Sequence, residues 1–156
     1  MTLMSRTVPE ASCLQDFEHL AADYVVDTLS LETLGRFDQL VFAAGADIRQ
    51  LPPAADEAAF YEKVNVQAIP HFFERARDAG ISRAVYIGTF YPQVVPDKIA
   101  DSVYVRSRHL SDEAVRALST PSFAVCSLNA PFILGYVPGI AVPHLEVPVQ
   151  YAAGRL

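Results

Sequence analysis

The chain contains seven glycines, Gly35, Gly45, Gly80, Gly88, Gly135, Gly139 and Gly154, and no set of them is spaced as Gly-x-Gly-x-x-Gly. A phosphate-cradling loop needs such closely spaced glycines for backbone to approach a pyrophosphate at a helix start, so that device is excluded. Cysteine is equally scarce: Cys13 and Cys126 are too few for a disulfide framework, and Cys126, set in an apolar run, reads as a buried thiol. Positive charge is in short supply, with 12 Lys and Arg against 18 Asp and Glu for a formal net charge of −6. That balance opposes a phosphate-backbone grip, and Arg106, Arg108 and Arg116 are the sole local basic grouping, so no nucleic-acid partner is expected. His19, His71, His109 and His144 fall into no metal-ligand spacing, and no metal is expected. No apolar run approaches the roughly 18 residues of a membrane span, and Met1–Arg6 lacks the continuous apolar stretch of a signal peptide. These absences predict a soluble cytoplasmic protein that does not bind membranes.

What is present is a globular composition. Of 156 residues 51% are hydrophobic and 19% charged, which fits one domain with a substantial core and not a disordered chain. Residues 1–22 are weakly patterned apart from their end, where 22–27 reads as a short strand closing on the acidic Asp27. A small helix over Leu31–Leu34 is closed by Gly35, and the compact apolar run 39–44 predicts a buried strand. From Asp56 the period lengthens: Phe60, Val64, Ala68, Phe72 and Ala76 recur every four residues, predicting an amphipathic helix stopped by Gly80. Pro70 removes a backbone donor within it and predicts a kink or two abutting helices. Strands over 83–88 and 122–128 flank an irregular loop over 90–101 and a helix over 102–118. Alternating strands and helices predict parallel α/β construction. The prolines at 138, 143 and 148 argue against regular structure until 149–153.

Chemistry concentrates at Tyr104-Val-Arg-Ser-Arg108. A helix places residues four apart on one face, about 5–6 Å apart at Cβ, so the arginine would favour the ionised phenol. A phenol so activated can exchange a proton with a carbonyl or alcohol, and Thr89, at the end of the preceding strand, can hydrogen-bond the same oxygen. Spacing alone equally describes a tyrosine packed against a sheet and an arginine facing water.

The order of segments resembles the extended short-chain dehydrogenase/reductase family, also called the NAD-dependent epimerase/dehydratase family. The run 37–45 resembles its fourth strand, Asn65-Val-Gln-Ala68 its Asn-Val-x-Gly segment, and Arg83-Ala-Val-Tyr-Ile-Gly-Thr89 its fifth strand. Tyr104–Arg108 covers the Tyr-x-x-x-Lys position with Asp112-Glu113 following, and 128–135 is similar to the segment leaving the sixth strand. The resemblance spans about residues 23–139, with 140–156 as a tail. It implies a partial Rossmann-like, three-layer α/β domain with a mostly parallel sheet, lacking the usual N-terminal glycine-loop unit and C-terminal substrate domain.

The resemblance further implies NAD or NADP as cofactor. Thr89, Tyr104 and Arg108 would be catalytic. Asp27 would accept from the adenine amine, and Ala43, Ala44 and Gly45 would admit the dinucleotide closely. Asn65 would hold the strand and helix geometry, while Asn129, Pro131 and Phe132 would pass the nicotinamide. Each has a plainer alternative: a turn or cap for Asp27, packing for the alanines and glycine, a local helix bond for Asn65, a strand end for Asn129 and Pro131.

Three departures stand out. Arg108 replaces lysine, and its planar fork does not reproduce an ammonium's contacts. Gly88 replaces a small hydroxyl residue. The first strand, glycine loop and second strand of the family have no counterpart before residue 23. Their absence would bare the 39–44 strand along an apolar edge, predicting cover by residues 1–27, a second copy or another subunit. Three readings remain: an NAD(P)-dependent epimerase, dehydratase or reductase, active or degenerate; a structural or assembly subunit that kept the scaffold; or a partial gene product whose missing segments held the function.

Overall fold

The computed structural model describes residues 1–131 and 149–155. They form two units, one of Met1–Asp23 with the C-terminal residues and one of Tyr24–Pro131. In the first unit, β1 (Thr2–Ser5) and β2 (Glu18–Ala21) pair in parallel, Thr2 opposite Glu18, joined through a 3₁₀ turn at Ser12–Leu14. The weakly patterned segment before residue 23 thus contains two short strands, with no glycine-rich loop between them. The strand expected over 22–27 is corrected: the strand ends at Ala21, and Tyr24–Val26 is a turn. In the tail, residues 149–152 form one helical turn.

The second unit is a parallel sheet in the order β3 (Gln39–Phe42), β4 (Arg83–Ile87), β5 (Ala124–Leu128). Phe42 lies opposite Tyr86 and Tyr86 opposite Ser127, which brings the carboxyl ends of all three strands to one side. Period-two alternation sorts the faces. Phe42, Ala84 and Tyr86 are buried, whereas Val41 and Leu128 are 67% and 54% exposed. Strand β3 is thus half-buried and not fully buried as its apolar run suggested, and Cys126 is exposed, not a buried thiol. Among the described residues β3 has one strand neighbour, β4.

Helix α1 (Leu31–Leu34) starts where Ser30 Oγ accepts from Thr33 N at 3.0 Å and ends where Gly35 N donates to Leu31 O at 2.8 Å. The segment from residue 57 is not a continuous α-helix. Asp56 caps α2 (Glu57–Tyr61), a π-helical stretch follows over Glu62–Gln67, and α3 runs from Ala68 to Asp78. Pro70 supplies no N–H and crowds the carbonyl four residues back, Val66. The ladder loosens to an i→i+5 bond, Ala68 N to Lys63 O. The wider turn rotates the stripe by one residue, so Tyr61, Asn65, Ile69, Phe72, Phe73 and Ala76 are buried, and not Phe60, Val64 and Ala68.

Residues 90–101 are not an irregular loop either: α4 (Tyr91–Val94) and α5 (Lys98–Asp101) occupy them, with Pro92 near the start of α4, where a missing N–H costs nothing. Ser102 then caps α6 (Val103–Ala117). Phe42, Phe72, Phe73 and Tyr86 make the aromatic centre, with Phe42 5.4 Å from Phe72, 5.5 Å from Phe73 and 6.3 Å from Tyr86 between ring centroids. Burying a side chain such as Phe73, 0% exposed, contributes about 1.5–3 kcal/mol. No helix among the described residues is long and apolar enough to cross a membrane.

Candidate functional site

Parallel strands deliver their following loops to the same edge, where ligands of open α/β sheets bind. Here those loops are Ala43–Asp47 after β3, Gly88–Phe90 after β4 and Asn129–Pro131 after β5. The first turn of α6 adds Tyr104. The structure therefore gathers Ala43, Ala44, Gly45, Thr89, Asn129, Pro131, Tyr104 and Arg108 at or near the strand ends. Asp27 lies exposed between the Tyr24–Val26 turn and α1, and the strand it was expected to close is not formed. Phe132 lies outside the described residues.

A fully buried clamp fixes the geometry. Asn65, 0% exposed and inside the π-helical stretch, accepts from Ala46 N at 2.9 Å and donates to Ala46 O at 3.1 Å. The same amide nitrogen donates to Ser107 Oγ at 3.1 Å. Ser107 Oγ donates to Tyr104 O at 2.8 Å, and Ser111 Oγ donates to Asn65 O at 2.9 Å. The π-helix, the loop after β3 and helix α6 thus share one hydrogen-bond network beneath Tyr104. Lower on α6, Asp112 accepts from Ser127 of β5 and from Arg116 Nε, tying the helix to the sheet.

On the β4 side, the position a Cβ of Gly88 would occupy is taken by the Asn129 carboxamide. Gln93, with its amide oriented to satisfy its neighbours, accepts from Asn129 Nδ2 at 2.8 Å and donates to Thr89 O at 3.2 Å. Glycine at 88 therefore lets the loop after β5 close onto β4. On the β3 side, Gly45 has φ +148°, and the Arg108 guanidinium fills the space a side chain would need. Arg108 does not face water: it is 7% exposed, donates from Nη2 to Ile87 O at 3.2 Å and lies 5.3 Å from the Tyr86 ring centroid.

The Tyr104 phenol is half-buried against Tyr61, ring centroids 5.6 Å apart. Burial pushes its pKa above the ordinary 10.0, opposed by the Arg108 charge and by Thr89 as a hydrogen-bond partner, while Asp47 and Tyr91 push it up. The net direction is opposite to the sequence expectation, because desolvation outweighs the cation four residues on. No Tyr104–Thr89 bond of 3.5 Å or less is formed, so Thr89 acts on the phenol at longer range. The group is therefore a neutral hydrogen-bond and proton donor at neutral pH. Asp47, held by Arg49 Nε to Oδ1 at 3.0 Å, has its carboxyl pKa lowered chiefly by that hydrogen bond and places a negative charge near this group.

Tyr61 and Tyr86 are also shifted upward, each chiefly by burial. A group whose folded pKa is raised contributes stability that is complete below its unfolded pKa and is lost as pH rises through the folded value. The chain is therefore expected to lose stability progressively above about pH 10. Urea midpoints measured from pH 8 to 11.5 check this, and an unchanged midpoint would exclude it.

Several of these residues carry no sequence signal of their own. Ser107 and Ser111 read as ordinary helix residues, and only their i, i+4 spacing along α6 hints at a shared face. Asp47 and Gln93 sit in segments read as loop. Tyr61 flanks the apolar stripe of 60–76 and carries no signal of its own for a place at the site.

A parallel sheet with helical crossovers and a strand-end site defines a partial Rossmann-like α/β fold, as the order of segments implied. It is the fold of part of an NAD-dependent epimerase/dehydratase structure. In the solved structure of a protein from Bacillus halodurans assigned as such an enzyme, the match has a TM-score of 0.61 at 18% identity and covers 83% of this chain. This chain spans 57% of that chain's length. The triphenylmethane reductase of a Citrobacter species, solved with NADP(H), matches at a TM-score of 0.46 and 20% identity, over 74% of this chain and 35% of that one. No protein-family model and no curated protein matches the sequence.

Proposed function

We propose that this chain is the catalytic part of an NAD(P)-dependent reductase, epimerase or dehydratase, with Tyr104 as the proton donor. The observation that carries this reading is the convergence of Thr89 and Tyr104, from different elements, above the fully buried Asn65–Ser107–Ser111 clamp. A network of that completeness rigidifies the turn that carries Tyr104, as a site that must hold a reacting oxygen requires.

The strand ends fit the nicotinamide end of a dinucleotide. Exposed Ala43 and Ala44 leave room for close approach, and Thr89, Tyr104 and Asn129 surround the place with polar groups. A bound nicotinamide would supply or accept the hydride. The chain's own part is to orient the substrate oxygen by Thr89 and to give or take its proton at the Tyr104 phenol oxygen. The raised phenol pKa suits reduction of a carbonyl, in which the neutral phenol donates as the oxygen gains charge.

One observation favours the second reading, a scaffold subunit without dinucleotide affinity: the approach at Gly45 is filled by the protein's own Arg108. Calorimetric titration with NAD(H) and NADP(H) separates the two. Dissociation constants in the micromolar range are expected, and silence at about 1 mM, an affinity below roughly 4 kcal/mol, would transfer the conclusion to the scaffold.

A further inference from the structure

Among the described residues Arg108 is a buried cation that makes no contact ion pair, and Asp47 acts on its charge only at longer range. It is 7% exposed, and its one hydrogen bond runs from Nη2 to the neutral Ile87 carbonyl. Nε is buried without a partner, and Nη1 lies against Gly45, on the exposed loop after β3, with no hydrogen bond to protein. The Tyr86 ring offsets part of the charge by cation–π contact, yet supplies no acceptor for the N–H groups of the two unpaired nitrogens, Nε and Nη1. The one carboxylate known to act on Tyr104, Asp47, is engaged through both oxygens by Arg49, with Nε to Oδ1 and Oδ2 each at 3.0 Å. Buried charges in proteins are paired, and a guanidinium in particular selects planar oxyanions.

We propose that Arg108 receives the carboxylate of the substrate, so that the site takes small 2-oxo or 2-hydroxy acids, with the adjacent oxygen at Tyr104 and Thr89. The inference rests on the Tyr104–Thr89 site proposed above, but not on dinucleotide binding. Three donors then meet one ligand: a neutral phenol, a neutral hydroxyl and a fixed cation. A neutral ribose or sugar hydroxyl would leave the guanidinium charge uncompensated in its low-dielectric setting. A phosphate dianion would overcompensate it and face the charge of Asp47 as well. A monoanionic carboxylate matches the single positive charge.

The test uses the full chain, pyruvate as the probe and its uncharged amide, pyruvamide, as the contrast, at constant ionic strength and without nucleotide. Saturable pyruvate binding near 1 mM or tighter is expected, with pyruvamide about tenfold or more weaker, as loss of a charge-assisted hydrogen bond requires. Arg108→Gln is expected to abolish the discrimination between the two, and Arg108→Lys to keep a part of it. If Arg108→Gln does not fold, the pyruvate–pyruvamide contrast in the unaltered chain still decides. Equal binding of acid and amide, equal or tighter binding of inorganic phosphate, or no pyruvate binding at about 50 mM would each overturn the proposal. Dinucleotide binding with no carboxylate preference removes this inference and leaves the proposed function standing. Carboxylate selectivity with no dinucleotide binding does the reverse.

Discussion

Asn65→Ala is expected to cost about 3–5 kcal/mol of stability, a large part of the 5–15 kcal/mol by which a domain is stable. The loss is concentrated because one side chain serves three groups. Its removal strands the Ala46 N–H and C=O, leaves Ser107 Oγ without its donor and opens a cavity in a position that is 0% exposed. Unsatisfied buried groups are penalised by their full desolvation, so the neighbouring elements must shift or admit water. In urea the midpoint should fall by about 2 M at a typical slope for this size. Asn65→Asp should fare no better, since a carboxylate would accept from Ala46 N but oppose Ala46 O. A change below about 1 kcal/mol in the alanine variant would show that the clamp does not hold the site.

Tyr104→Phe should affect turnover and leave the fold intact. The phenol oxygen makes no protein hydrogen bond of 3.5 Å or less, while the ring contact with Tyr61 at 5.6 Å survives in phenylalanine. Loss of a positioned proton donor typically costs 10²–10⁴ in rate, so reduction of a 2-oxo acid by NADH or NADPH should fall by about that factor. Affinity for the nucleotide should stay within about twofold, because the hydroxyl acts in the reaction and not in binding the cofactor's bulk. Turnover equal to that of the unaltered chain would remove Tyr104 from the chemistry.

The sequence made the alternation of elements in 31–128 legible because local signals agreed: stops at Gly35 and Gly80, a four-residue apolar period from Asp56, and apolar runs of strand length. It misplaced the burial stripe on 57–78 because periodicity assumes a constant 100° per residue, and Pro70 forces a wider turn upstream of itself. The strand expected at 22–27 lay at Glu18–Ala21, where polar Glu18 and His19 hide the alternation. At the site, Tyr104 and Thr89 could be singled out by order and spacing. The sign of the phenol's pKa shift could not, since it depends on how much water the fold removes, a quantity with no local signature. The direction of the Arg108 side chain was equally hidden, because it turns on the vacancy at a glycine 63 positions earlier, 108 − 45.

Gly45 and Arg108 occupy one volume between them, and this imposes an order on how the pair can arise by single substitutions. An arginine can lodge inward at 108 in this position only while residue 45 carries no side chain. Once the guanidinium is in place, no larger residue can return to 45 without first expelling it. The two positions are coupled as a ratchet, although the backbone at 45 is open to solvent and would otherwise look free to vary.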